Sequence, residues 1–493
     1  MSGKVIYKDI ALGADETALI QTPTALEPFS SVGWLTLAPN APAIATCELN
    51  GWGLSHEYKN RTSQTLAFWS VERSGADCLF ASAPSVVLTF PAQYTSTGLT
   101  VRFATASNDF CRRVHIEWWR GTTRLHSEDY ENNSSVFVVN RTVEAYDKLV
   151  FSFNETNLPG KRCKVEKIII GVIREFEADE LTRVNAIHEV NLIGDTVPIN
   201  VLDVGLHSKS DIEYIFQRKQ PVEAYDNDTL IGTYYIQQGR RTSRDDFSIS
   251  CQDVVGLLDL ITYEGGIWLE DTPLNTVLSQ VFGNLVKWDI DPALAGATIR
   301  GAIEPGRTMR EALMHIAFAI GAVIDTSGTD RIKIFPVPSD AGAIAPRNTY
   351  TGGSVETSDK VTEVTVTAYR FFDERPGQND EFIDIGGVQY RYYTETKHAY
   401  NPNVVASDPE NKVKFIGYYL CNLDNAQKRA DEIMAFYHRR NKYVFNHVYS
   451  GEELGGKYEI YLPWLHKRAG NITKMSITLS GLTISAAEML FED

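Results

Sequence analysis

GTYYIQQGRRTSRDDFSISCQDVVGLLDLITYEGGIW, residues 232–268, packs an unusual order of elements into a short stretch. Tyr234-Tyr235-Ile236 reads as a strand, Gly239 to Asp246 as a polar hairpin loop, and Phe247-Ser248-Ile249-Ser250-Cys251 as a return strand with period-two alternation. Gln252-Asp253 then opens the short apolar segment Val254-Val255-Gly256-Leu257-Leu258-Asp259-Leu260. Upstream, Ala186 to Leu192, Ile199 to Leu206, Ile212 to Phe216 and Val222 to Tyr225 alternate in the same way, the first two separated by the turn Gly194-Asp195-Thr196-Val197-Pro198. About six strands over 186–265 predict a compact β-barrel.

Downstream the character changes after Gly265-Gly266. Thr272-Pro273 offers an N-cap with proline at the first helical position, and Leu274, Val277, Leu278, Val281 and Phe282 share one helical face, so a helix is predicted to end near Gly283. Thr308-Met309-Arg310-Glu311 is a capping box that opens a second helix, with Leu313, Ile316, Ala317 and Ile320 on one face and a stop at Gly321. The hairpin Ala322 to Asp325, Ser327-Gly328, Arg331 to Phe335 follows. Residues 266–345 are therefore expected to be a small α/β module.

Pro336 to Thr351 reads as a linker, and Val364-Thr365-Val366-Thr367-Ala368 as an alternating strand. Asn422 to Arg440 carries Ala426, Ala430, Ile433, Met434 and Tyr437 on one face of a helix whose basic end suits its dipole. Strands return at Tyr443 to Tyr449, Tyr458 to Leu462, Met475 to Leu479 and Leu482 to Ile484. The expected organisation is a second barrel interrupted in sequence: a first part with an insertion over 346–420, the helix over 421–442, and closing strands over 443–493.

Toward the N-terminus, short runs recur at Trp34 to Ala38, Leu66 to Trp69, Val86 to Phe90, Leu99 to Phe103, Val114 to Trp119, Val136 to Val139, Leu149 to Phe153 and Ile168 to Val172. Strands with turn-rich separators and no convincing helix predict a β-sandwich over 1–180, jelly-roll-like in its strand number. The charged stretch 175–185 is the expected connector. The fold class is thus mainly β and multidomain.

A chain of 493 residues with 43 % hydrophobic content exceeds what one core holds. No run of 18 apolar residues occurs, and MSGKVIYKDI lacks a secretory apolar region, so neither a membrane span nor export is indicated and synthesis in the cytoplasm is expected. Cys47, Cys78, Cys111, Cys163, Cys251 and Cys421 are scattered without a CxxC pair, which points to buried thiols rather than zinc. Net charge is −16; residues 1–180 hold 17 basic and 21 acidic side chains, so most of the excess lies in the remainder. That sign disfavours binding DNA through its phosphates, and would suit a bore through which DNA slides; ordinary solubility charge has the same sign.

Catalytic arrangements are hard to find. GxSxG, HExxH, Walker A and GxGxxG are absent, and Gly160-Lys161 lacks the upstream glycine of a phosphate loop and reads as a hairpin turn. His188 and Glu189 fall on opposite faces of a strand, a poor acid/base pair. Asp226-Asn227-Asp228 lacks the further ligands of a calcium loop and reads as a turn. No catalytic residue, cofactor or metal is therefore expected, and the chain is not expected to be an enzyme. Three tryptophans could touch a carbohydrate or a partner: Trp52 in a loop, and the adjacent Trp118 and Trp119, one of which must face away from the core. Core packing or a subunit interface would use the same rings. Arg240, Arg241 and Arg244 form the strongest basic cluster in an acidic region and suit carboxylates of a neighbouring ring; a solvated loop is the alternative.

The hairpin followed by Gln252-Asp253 and Gly256-Leu257-Leu258-Asp259 resembles the tail-hub proteins of bacteriophages and related injection machines. Glu48-Leu49-Asn50-Gly51-Trp52, Trp69-Ser70, Ala145 to Phe153 and the strand Lys164 to Arg174 look like a galactose-binding-like sandwich found at the N-terminus of some phage tail hubs. The first resemblance covers residues 186–493 in element order. It implies tail-tube-like barrels, two per subunit, so that a homotrimer offers six to a six-fold tube. It also implies a virion tail tip or baseplate location, partners among tube, tape-measure and tip or spike proteins, and passage of DNA without specific binding. The competing expectation is a carbohydrate-binding or cell-wall-degrading tail protein that meets host surface glycans. Many tail-tip relatives carry such a part as an extension after the hub; the chain ends at Asp493 just after its last predicted strand, which favours assembly over catalysis.

Overall fold

A computed structural model of the protein describes residues 3–10, 18–21, 68–104, 107–177, 179–208, 218–350, 352–374, 376–378, 380–461, 467–479 and 483–492. The expected strands Trp34 to Ala38 and Ile212 to Phe216, together with Cys47 and Trp52, lie outside the described residues. Strands take 57 % of the structure and helices 11 %, a mainly β, multidomain architecture. The chain divides into two compact units, Tyr7–Arg174 and Met1–Ile6 with Glu175–Asp493.

The first unit is built on a seven-stranded sheet in the order Phe68–Arg73, Arg162–Ile169, Ser85–Phe103, Val136–Thr156, Cys111–Arg120, Thr123–Glu131, with Leu19–Gln21 added beside Ser85–Phe103. Two expected strands, Val86 to Phe90 and Leu99 to Phe103, are one bent strand, and so are Val136 to Val139 and Leu149 to Phe153. The sequence between them looks like a turn because register shifts at Thr89/Tyr94, Tyr94/Ser96 and Ser96/Gly98 break the alternation. Bending lets Ser85–Phe103 change partners: beyond the bend its Thr100 to Phe103 part also pairs with Arg162–Ile169. Fully buried Trp118, Phe103, Tyr146, Phe151 and Phe153 fill the core. Each such side chain contributes roughly 2–3 kcal/mol of burial. The buried Tyr146 hydroxyl donates to Ser96 Oγ at 2.8 Å, so its polar end is satisfied.

The second unit is organised by a 13-stranded sheet. Within the unit its path runs Ser354–Thr357, Asn441–Val448, Ile484–Phe491, Lys467–Thr478, Leu181–Glu189, Val201–His207, Asp246–Gln252, Thr229–Arg241, Pro221–Asp226, and Lys457–Tyr461 and Ala341–Ala343 branch from Lys467–Thr478. The early strands, 181–252, and the late strands, 441–491, thus form two runs joined edge to edge, with Asn185 opposite Thr478, Ile187 opposite Ser476 and Glu189 opposite Lys474. Among the described residues hydrogen bonding continues through this seam, where the sequence predicts two separate barrels. Alternation shows that a strand is half-buried, but not which edge it joins.

Two insertions separate the runs. The first holds a ribbon of Gly266–Pro273 with Thr298–Ile303, a small sheet of Trp288–Ile290, Ile332–Pro336 and Ala322–Asp325, and two helices. Helix Met309–Ile320 has the capping box as predicted: Glu311 N donates to Thr308 Oγ1 at 3.1 Å, Thr308 N donates to Glu311 Oε2 at 2.8 Å, and Gly321 closes it with φ 70°. Helix Leu274–Phe282 buries all five predicted apolar residues, but starts after Pro273, with no side-chain cap from Thr272.

The second insertion corrects the sequence reading. Val364 to Ala368, expected to open the second barrel, lies in Glu363–Phe372, which belongs to a separate four-stranded sheet with Phe382–Ile385, Val388–Tyr400 and Lys412–Phe415. Val364, Val366 and Ala368 face helix Ala426–Tyr437 through Ala426, Ala430, Ile433 and Met434. That helix starts later than Asn422 because the Asn422 side chain accepts from Asp424 N at 2.9 Å and Asn425 N at 3.2 Å, holding these residues in a turn.

Candidate functional site

The stretch 232–268 folds as Thr229–Arg241, a loop, Asp246–Gln252 and the short helix Val254–Leu258. Asp253 N-caps the helix, accepting from Gly256 N at 3.2 Å. Gly256 leaves room for the Gln252 side chain: a Cβ there would meet Gln252 Cβ at 2.8 Å. The other Asp253 oxygen accepts from Thr326 Oγ1 at 2.6 Å, Thr326 accepts from Asn200 Nδ2 at 2.9 Å, and Asn200 Oδ1 accepts from Glu189 N at 2.8 Å. The motif therefore ties the early strands to the α/β insertion. Burial pushes the Asp253 carboxyl up to about 6 against the hydrogen bonds from Thr326 and the backbone.

His188 points inward from the same strand that carries Glu189 outward, as alternation requires. Its Nε2 meets the Tyr234 hydroxyl in a fully buried hydrogen bond, and burial lowers its pKa to about 4, so it is neutral at physiological pH. Glu189 instead lies 3.4 Å from Lys474 across the seam. The two side chains have separate structural tasks.

The arginine loop crowns the Thr229–Arg241 and Asp246–Gln252 hairpin. Arg240, Arg241 and Arg244 are all exposed. Arg241 braces the loop: its guanidinium donates to Ser243 O at 3.1 Å and to Arg244 O, and sits 5.0 Å from the Phe247 ring centroid. Where the loop rejoins the strand, His207 Nδ1 lies 2.8 Å from Asp246 Oδ1, and that carboxylate raises the histidine pKa.

The adjacent tryptophans part as expected for a strand, but only one reaches the surface. Trp118 is fully buried in the core against His126 and Tyr130, which removes it as a ligand contact. Trp119 is half-buried, its indole donates to Glu117 Oε2 at 3.0 Å, and Lys148 Nζ and the Arg124 guanidinium lie 4.6 Å and 5.9 Å from its ring. Cations occupy the ring a sugar would stack on.

Sequence reasoning missed the buried charges beside Gly160. Lys161 and Lys164 converge on Asp109, with Nζ to carboxylate distances of 3.3 Å and 2.8 Å, all three side chains being at most 5 % exposed. Burial raises the Asp109 carboxyl, but the two lysines and Ser107 outweigh it and hold it below its ordinary range. Asp109 is far from both lysines in sequence, so no local signal marked the cluster. Asp226 and Thr229 close a tight hairpin around Asn227, whose φ is 52°. Among the described residues no helix is long and apolar enough to cross a membrane, and no group of His, Cys, Asp or Glu could hold a metal.

No family model matches the chain, and no curated protein matches it. Solved structures do. The 43 kDa tail protein of prophage MuSo2 from Shewanella oneidensis is similar over 64 % of this chain and 95 % of its own, with 11 % identity and a TM-score of 0.46. The tail protein from Neisseria meningitidis MC58 is similar over 64 % and 93 %, with 12 % identity and a TM-score of 0.45. Prophage tail protein gp18 from Listeria monocytogenes EGD-e covers 64 % and 91 %, with 10 % identity and a TM-score of 0.42. All three are tail proteins.

Proposed function

We propose that the chain is a structural hub of a phage tail tip or baseplate, which acts by shape rather than by chemistry. The observation that supports this most directly is the seam between Leu181–Glu189 and Lys467–Thr478. It sets two strand runs from distant parts of one chain side by side in one sheet, so each subunit offers two building blocks to a ring. Three subunits then offer six, matching a six-fold tube through the geometry of a closed ring. The N-terminal unit serves as a module of the galactose-binding-like kind, and the exposed arginine hairpin meets carboxylates of an adjoining ring. Partners in this reading are tube, tape-measure and tip or spike proteins. DNA passes without specific binding, and the subunit is made in the host cytoplasm before entering the virion.

Light scattering of the full chain at several concentrations, with negative-stain images of the same fractions, tests the reading. A trimer with a central hole is the expected result. A monomer at every concentration, with no ring, counts against it.

A further inference from the structure

A cleft of about 580 Å³ opens between the α/β insertion and the four-stranded sheet, lined among others by Trp268, Glu270, Arg300, Phe371, Asp373 and Asp424. We infer that it is a slot for strand addition, taking one extended polypeptide segment with a basic side chain. The inference goes beyond the hub reading and stands without it.

The first support is the chain's own use of the slot. Residues 419–421 already run between its two walls: Ala302 N, on the ribbon, donates to Tyr419 O at 3.3 Å, and Tyr369 N, on the four-stranded sheet, donates to Cys421 O at 2.7 Å. The bridging segment is a tight turn, with Cys421 N donating to Tyr418 O at 2.8 Å, so both walls already donate hydrogen bonds to inserted backbone. Asn422, Leu423 and Asp424 then line the cleft in a second turn, held by the Asn422 side chain, before the helix begins.

The second support is an unfilled edge. Glu363–Phe372 pairs with Lys412–Phe415 only as far as Val366. Its other side pairs with Val388–Tyr400 along its whole length, Tyr369 opposite Thr394 and Phe371 opposite Tyr392. Tyr369 N points away from Val388–Tyr400, to Cys421, and Tyr392 N points away from Phe371, to Glu381 O at 3.0 Å. Phe371 is therefore in a non-hydrogen-bonded pair, and two residues on from Tyr369 its N–H and C=O face the same way as those of Tyr369. That side is the cleft. Neither group has a hydrogen-bond partner among the described residues. A strand edge at the wall of a cleft, with the register of its neighbour already set, is what peptide segments bind by adding a strand.

The third support is charge. Arg300 is satisfied by Asp424, whereas Glu270 and Asp373 have no cation partner among the described residues. The remaining arginine of the lining, Arg370, is turned onto the Phe372 ring, 5.3 Å from its centroid. Two uncompensated carboxylates at the mouth favour a lysine or arginine on the incoming segment.

The test uses the full chain and a fluorescein-labelled peptide, Val-Thr-Val-Lys-Val-Thr, read by anisotropy and by hydrogen exchange over residues 366–374. The peptide is expected to bind and to protect this segment. Its N-methylated form, which cannot pair, is expected to bind at least roughly tenfold more weakly, and a glutamate-for-lysine form more weakly again by a similar factor. Phe371→Pro removes the N–H without breaking a ladder bond and should abolish binding, while Phe371→Ala, which loses the ring but keeps the N–H, should retain it. Thermal melts of both variants separate loss of the slot from loss of the fold. Glu270→Gln with Asp373→Asn should erase the preference for lysine. No binding by the lysine peptide, equal binding by the N-methylated one, or binding that survives Phe371→Pro would each overturn the proposal.

Discussion

The two units use the same alternating strands and close them differently. In the N-terminal unit the partners are near in sequence or nested, and a cluster of fully buried aromatic rings holds the sheet. In the other, Leu181–Glu189 pairs on one side with Val201–His207, a few residues away, and on the other with Lys467–Thr478, nearly the whole unit away. The first depends on what fills it. The second depends on which edges meet, and that is the property an assembling subunit must get right.

The sharpest contrast within the aromatic core is between neighbours. Trp118→Ala should destabilise the N-terminal unit by about 3–5 kcal/mol, while Trp119→Ala, half-buried on the other face, should cost under about 1 kcal/mol. Hydrogen exchange over the Cys111–Arg120 and Val136–Thr156 strands reads both. Equal losses for the two would dissolve the distinction between a filled core and a working surface.

The seam is probed by Ile477, 1 % exposed and opposite Ala186. Ile477→Ala should cost about 2–4 kcal/mol. The telling result is where exchange rises. If both the Lys467–Thr478 strand and the Val201–His207 strand lose protection together, the two runs unfold as one. Loss confined to the late strands would mean that the two runs fold independently and that the seam does not tie them together.

Such distinctions explain what could be read from the residues alone. The capping box at Thr308 and Glu311, the apolar face from Leu274 to Phe282 and the arginine hairpin are local, and hydrogen bonding within a few residues fixes them. The partner of Leu181–Glu189 is not local, and neither is the separate sheet to which Val364 to Ala368 belongs. Lys161 illustrates the same limit in the chemistry: its burial follows from Asp109, which no nearby pattern announces. The strand edge at Phe371 was equally hidden, because an unpaired backbone group leaves no mark on residue type.

The buried pair of titrating groups behind the motif gives the next prediction. His188 has a folded pKa of about 4 against an ordinary 6.5, so the unfolded chain takes up a proton that the folded one refuses, and stability falls by up to about 3 kcal/mol as pH drops through that window. Asp253 has a folded pKa of about 6 against 3.8, so the folded state keeps a proton that the unfolded one has released, and stability falls by up to about 3 kcal/mol as pH rises through that window. Between roughly pH 4 and 6 the two oppose each other. The wild-type contribution should therefore be nearly flat there. His188→Gln should make the protein gain stability toward acid, and Asp253→Asn should make it lose stability more steeply. Melting temperatures from pH 4.5 to 7 decide; parallel curves for all three proteins would mean that these groups do not titrate as their burial dictates.

The smallest expected effect separates bracing from contact within the arginine hairpin. Arg241 holds the loop through Ser243 O, Arg244 O and the Phe247 ring, whereas Arg240 and Arg244 reach outward beside it. Arg241→Ala should loosen the loop by about 0.5–1 kcal/mol, seen as faster exchange between Arg240 and Phe247, and Arg240→Ala should leave stability within about 0.5 kcal/mol of wild type. If the hairpin meets an acidic ring, Arg240→Glu with Arg244→Glu should weaken binding to the tube partner and remove its salt dependence while the subunit's own ring stays intact. An unchanged salt dependence would make the cluster a solvated loop. The contrast between the units would then hold for folding and not for assembly, because the large sheet would present its edges without using the charges of its arginine turn.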